Sequence, residues 1–284
     1  ELVDQRMADQ RNHADNQLQA LSLVPLALQQ ILIGNRHAAL NTLIRASSLQ
    51  AENAVINYFY GEVLVREHQY DRGITYLEKA CQSSDMPDAN ATLAYAYRRL
   101  GDDNPERRDR YYSQSESIYL ELREEHPDLL DITGESVYGG LAGIYRSRNM
   151  IDKAIRIYED IAQITPNSSY PINNLGLLHF EYDDLPYASR DKGREYFEKA
   201  RRKADVTLRL EGDYWRLFDI ITAEIALEVT EWEDIKLRVD NVFDLDPTHN
   251  DILKLIEGIE RLQKSIQPPK YGQQTIDYIH EHMK

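Results

Sequence analysis

Cysteine is nearly missing from this chain. Cys81 stands alone among 284 residues, so no internal disulfide can form and the redox setting is left open. Long apolar runs are missing too: nothing approaches the roughly 18–20 consecutive apolar residues of a membrane span. Positive charge is scarce, with 33 lysines and arginines against 48 aspartates and glutamates, a formal net charge of −15. A protein that grips a phosphate backbone needs a basic footprint, so nucleic acid is not an expected partner. The surplus suits an acidic helical exterior, or a basic partner. The chain starts at Glu1, with neither an initiator methionine nor a signal-like stretch, which reads as an excised fragment or a processed product. A cytoplasmic setting is the default expectation.

Catalytic and metal motifs are also missing. There is no His-Glu-x-x-His, no Gly-x-Ser-x-Gly and no cysteine pair for zinc. His280 and His282 are two apart and point to different faces of a helix. Asp183-Asp184 and Glu124-Glu125 read as solvated charge at helix ends. Gly139, Gly140 and Gly143 invite a phosphate-loop reading, but no strand-like run precedes them and no Gly-Lys-Ser/Thr follows. A close helix crossing, or an open space on the concave wall, explains them better. Cys81 follows Ala80 on a helix and reads as core. No catalytic residue, metal or cofactor is therefore expected.

What the chain does have is a rhythm of small residues and prolines. Ala142, Ala154 and Pro166 are twelve apart, and Ala223, Ile235 and Pro247 repeat that spacing, as do Ser115 and Pro127. Small residues at fixed offsets let two antiparallel helices approach closely, and proline then ends the second. Ala27 to Gly61 is 34 residues, Gly61 to Ala94 is 33, and Ala142 to Gly176 is 34. Helix pairs at that period cannot bury their apolar faces alone and must stack. Two longer intervals, 48 and 47, are assigned to enlarged loops at Gly101–Arg110 and Asp183–Asp191. Other extra residues follow Pro127 and Ala200.

These residues resemble the tetratricopeptide repeat family over about Leu21 to Pro247. Its signature reads here as Leu141-Ala142, Tyr145, Ala154, Tyr158, Ile161 and Pro166. The departures are the enlarged loops, the missing proline after Ala200, and Gln30 where tyrosine is usual. The resemblance implies an all-α fold, a right-handed superhelical solenoid of stacked antiparallel helix pairs. About six pairs are expected, at residues 21–52, 53–87, 88–128, 135–167, 169–205 and 212–247. A polar helix over 1–20 should cap the first, and a helix over 248–266, carrying Leu253, Ile256, Ile259 and Leu262, should close the last. The tail, 267–284, places Ile276, Ile279 and Met283 on one face of a short helix. That helix is expected to dock on its own array or fray, with docking on a neighbouring molecule as the alternative.

The family's first helices line a concave surface. Applied by register, that puts Tyr58, Glu62, Arg66, Tyr95, Arg98, Arg99, Arg146, Tyr170, Asn173 and Asn174 on the partner-binding face. Arginine forms bidentate pairs with carboxylates, and tyrosine gives large contact area at low entropy cost. The implied function is a non-enzymatic interaction scaffold that binds a peptide or a partner protein bearing carboxylates, as a segment of a larger signalling or assembly protein. Tyr58 and Glu62 occupy positions where chaperone-binding members carry lysine and asparagine, so chaperone tails are disfavoured. The alternative is a peptide-sensing, ligand-controlled regulator in which Asn173 and Asn174 grip the ligand backbone. Against both stands a plainer reading, in which the arginines pair with acids on their own and adjacent helices.

Overall fold

The computed structural model describes residues 2–33, 35–131, 133–211 and 213–283. The chain ends, residues 1 and 284, and the expected repeat start at 212 lie outside the described residues. The chain forms two compact units, Glu1–Asp131 and Ile132–Lys284. Among the described residues all regular structure is helical, with no strand.

The first unit holds α1 (Leu2–Leu32), α2 (Arg36–Leu49), α3 (Ala54–Arg66), α4 (Tyr70–Ser83), α5 (Pro87–Asp103) and α6 (Arg108–Glu125). They pack as hairpins, α1 on α2, α3 on α4 and α5 on α6, and successive hairpins stack. Side-chain caps start two of these helices: Asn35 accepts from the Ala38 N–H and Asn53 from the Ile56 N–H, both at 3.2 Å. Small residues set the crossings. A methyl added at Gly61 would stand 2.7 Å from Leu77 and 3.1 Å from the Gly73 carbonyl; one added at Gly73 would stand 3.1 Å from the Gly61 carbonyl. The two glycines face each other and let α3 and α4 touch backbone to backbone. Across α5 and α6 the same position is Ser115, whose buried hydroxyl donates to the Ala94 carbonyl at 2.6 Å.

The second unit holds α7 (Gly139–Ser147), α8 (Ile151–Ile164), α9 (Tyr170–Glu181), α10 (Arg190–Glu211), α11 (Tyr214–Leu227), α12 (Trp232–Asp244), α13 (His249–Gln263) and α14 (Gly272–His282). Ala142 and Ala154 are fully buried between α7 and α8, and Ala223 and Ile235 between α11 and α12. Gly176 abuts the ring of Phe197, and Gly193 that of Phe180. Each of the second helices α6, α8 and α12 ends two or three residues before Pro127, Pro166 or Pro247. The turns inside α3–α4 and α7–α8 are copies of one another. His68 (φ 59°) and Asn149 (φ 58°) are left-handed, and the next residue's N–H reaches back to Leu64 or Tyr145 at 2.8 Å.

Three features differ from the sequence reading. Residues 101–110 are not an open loop: α5 continues through Gly101 to Asp103, a 3₁₀ turn spans Pro105–Arg107, and α6 follows at once. The extra residues lengthened two helices, because Gly101 leaves room for Tyr112 and the Tyr112 hydroxyl bonds Asp102 at 2.5 Å. Without a proline after Ala200, α10 runs on to Glu211. At the N-terminus α1 is one helix that runs through the expected boundary at 20/21, with Pro25 inside it; its described side chains from Gln5 to Gln19 are all exposed. The tail helix α14 docks on α12 and α13, burying Ile276 and Ile279.

Candidate functional site

The ten residues expected on the partner face fall six in the first unit and four in the second. In the first unit, α3 supplies Tyr58, Glu62 and Arg66. Tyr58 is buried, and burial, then Glu62, pushes its hydroxyl pKa well up. Glu62 Oε1 accepts from Arg66 Nε (3.0 Å) and Nη2 (2.8 Å), a pair one helical turn apart. On α5, Tyr95, Arg98 and Arg99 share a helix edge. Tyr95 is 39% exposed. Asp102 binds both arginines, Arg99 Nη1 at 3.1 Å and Arg98 Nη2 at 3.5 Å. Arg99 Nε also donates to the Tyr70 hydroxyl (3.3 Å), which lies 2.7 Å from His68 Nδ1. Both arginines are thus held by their own chain, as the plainer reading had it, and held in fixed geometry.

In the second unit three of the four residues, Arg146, Tyr170 and Asn174, are engaged as well. Arg146, on α7, contacts Glu181 of α9 (3.5 Å) and donates to Glu257 of α13 (2.8 Å). Tyr170 meets the Tyr158 ring edge-on at 6.0 Å, and its hydroxyl fills the space beside Gly139. This crossing accounts for that glycine. Asn174 donates to the Tyr170 carbonyl (3.0 Å) and accepts from Arg261 Nη1 (3.2 Å). Asn173 is buried, and its Oδ1 has no partner among the described residues.

Linear reading missed the residue at the centre of this region. Glu181 is buried at the end of α9 and binds Arg261 Nε (2.8 Å) and Lys264 Nζ (2.9 Å), more than eighty positions away in the case of Lys264 and eighty in that of Arg261. Burial alone would raise its carboxyl, but Arg261, Lys264 and Arg146 together hold it below its ordinary range. The only sequence signal was Arg261 sitting at the edge of the apolar row of α13. Leu253, assigned to that row, is exposed, while Ile252 and Leu255 are buried.

Two further buried groups are electrostatically displaced. Asp219 on α11 accepts from Ser169 Oγ at 2.5 Å, and burial pushes its carboxyl up to about 7. Arg216, one turn earlier, donates to Glu135 at 2.8 Å. His179 Nδ1 accepts from the Ser189 N–H (3.1 Å), and burial, then Lys192, lowers its pKa to about 4. Burial also raises the Cys81 thiol, to about 11, which makes it a poor nucleophile at neutral pH. Among the described residues no group of histidine, cysteine or carboxylate side chains could hold a metal ion. No helix among them is long and apolar enough to cross a membrane.

No protein-family model matches the sequence, and it has no match among curated proteins. Solved structures do resemble it. The tetratricopeptide repeat protein TTC0263 of Thermus thermophilus superposes with a TM-score of 0.54 at 17% identity, over 67% of this chain and 95% of that one. MamA of Desulfovibrio magneticus RS-1 gives 0.51 at 15% identity, over 66% and 96%. Human IFIT1 gives 0.58 at 14% identity, over 87% of this chain and 54% of its own length. All-helical, paired and stacked, the chain has the tetratricopeptide-like helical-repeat fold.

Proposed function

We propose that the chain is a non-enzymatic interaction scaffold, part of a larger signalling or assembly protein, that binds a peptide or partner protein along its first-helix face. The observation that carries this reading is the edge of α5. Tyr95 projects there, 39% exposed, beside Arg98 and Arg99, whose guanidinium groups Asp102 and Tyr70 already hold in place. Side chains ordered before binding lose less entropy on contact, and tyrosine and arginine are the types that dominate interface energetics. Along α3 the proposed face extends to Arg66, which Glu62 holds; Tyr58 and Glu62 themselves are buried and would support it from within. A partner carboxylate is the complement proposed for the arginines. Arg146, Tyr170, Asn173 and Asn174 belong to the same kind of face in the second unit.

The regulator reading has less support, because Asn174 is already bonded to Arg261 and to its own helix. The human IFIT1 structure is of a dimer with m7Gppp-AAAA. A net charge of −15 argues against carrying that ligand class over. The test is affinity capture from the native organism's lysate with wild type, Tyr95→Ala and Tyr95→Ala/Arg98→Ala. Loss of one protein from both variants, at unchanged far-UV circular dichroism, supports the reading; equal recovery from all three removes the α5 edge from it.

A further inference from the structure

The first-helix face of the second unit is occupied by the chain itself. α13 packs on α9 and α11, burying Ile252, Leu255, Ile256, Ile259 and Leu262 in the unit's core. Beside this apolar row, Glu257, Arg261 and Lys264 follow one another at four and three residues, and so lie along one helix edge. Each meets its opposite. Glu257 accepts from Arg146 Nη2 at 2.8 Å, Arg261 Nε donates to Glu181 at 2.8 Å, and Lys264 Nζ donates to Glu181 at 2.9 Å. Past the helix end, Ser265 Oγ and the Ile266 N–H both bind Asp183, at 2.5 and 3.1 Å. The face therefore matches a helix sign by sign, from α7 across α9 to the loop beyond it.

The Glu181 and Arg261 side chains are only 3% and 7% exposed. A buried ion pair adds little net stability, but a wrong charge opposite it is costly, so the pair selects what docks. α13 reaches its place through a short connection, Leu245–Thr248, in which Asp246 takes φ 52° and Pro247 follows. It also packs on α14, which is seated in turn on α12, so α13 can leave its place on α9 and α11 only if the α14 contacts yield with it.

We infer that this face is a helix-binding site, which α13 fills from within the chain. It fits a partner helix with a carboxylate, an arginine four residues on and a lysine three further, beside an apolar row. The inference rests on the reading that first-helix faces bind partners. Tethering gives α13 an effective concentration in the millimolar range, so a free helix enters once α13 is released.

The experiment is fluorescence anisotropy with a labelled synthetic peptide of residues 248–270, titrated with full-length wild type and full-length Arg261→Glu. The substitution sets two carboxylates against each other under burial and frees α13. Arg261→Glu should bind the peptide about 100-fold tighter than wild type, the ratio of a millimolar tether to an affinity of about 10 μM. The conservative Arg261→Lys keeps a positive charge opposite Glu181 and should hold uptake near the wild-type level. A peptide itself carrying Arg261→Glu should fail to bind the single variant. If circular dichroism shows Arg261→Glu unfolded, a protease site within residues 245–248 decides: the cut, still helical chain should exchange its own C-terminal segment for labelled peptide 248–284. A folded Arg261→Glu chain, or a cut chain, that takes up no peptide overturns the inference, as does equal uptake of the charge-swapped peptide. That failure would leave capture through Tyr95 untouched, so the two readings fall separately.

Discussion

Asp219 and His179 are buried in the same unit and act on stability in opposite directions. The Asp219 carboxyl is raised to about 7 in the folded chain from about 3.9 unfolded. The folded state therefore binds the extra proton, and this group's contribution is full below pH 4 and lost as pH rises through 7. His179 is lowered to about 4 from about 6.5, so its contribution is full above pH 6.5 and lost as pH falls towards 4. Between those limits the two slopes cancel in part. Asp219→Asn keeps an acceptor for Ser169 and removes one slope; its gain in melting temperature should be larger at pH 8 than at pH 5, by calorimetry. The crossing at Gly61 makes a second prediction. Gly61→Leu forces a side chain against the Gly73 carbonyl and Leu77 and should cost about 1–3 kcal/mol in urea unfolding. The sequence marked Gly61 by its spacing alone, since crossing distance is a local matter of residue size. It held no sign of Asp219, whose burial depends on Ser169 fifty residues away.

At the scale of elements, pairing and helix type were legible because hydrophobic period and proline placement are written along the chain. The fate of inserted residues was not. Gly101–Arg110 looks like a loop by composition, yet Tyr112 and Asp102 draw it into helix, a contact that exists only once α5 and α6 are side by side. The polar start of α1 reads as a cap by composition, and its described side chains from Gln5 to Gln19 are exposed. Removing residues 2–17 should leave unfolding within about 0.5 kcal/mol while lowering the ellipticity signal. A loss much larger than that would mean the stretch is packed in solution. The row of α13 was half legible: its period showed an apolar face, but the partner of Arg261 lies on α9 and no local pattern points there.

Across the whole molecule, charge acts as one quantity. With a net charge of −15, self-repulsion works against the compact state, and exposed ion pairs return only about 0–1 kcal/mol each. Raising sodium chloride from about 20 to about 300 mM shortens the screening length severalfold and should raise the melting temperature; a fall would mean that paired charges dominate. The turns supply a different consequence. His68, Asn149, Glu228 and Asp246 all adopt the left-handed backbone that glycine enters without penalty. Two of them are bonded through their side chains: His68 to Tyr70, and Glu228 to the Lys270 N–H. Asn149 and Asp246 make no side-chain hydrogen bond among the described residues. Evolution under pressure for heat resistance would therefore meet four similar corners and treat them unequally, admitting glycine at 149 and 246 and refusing it at 68 and 228.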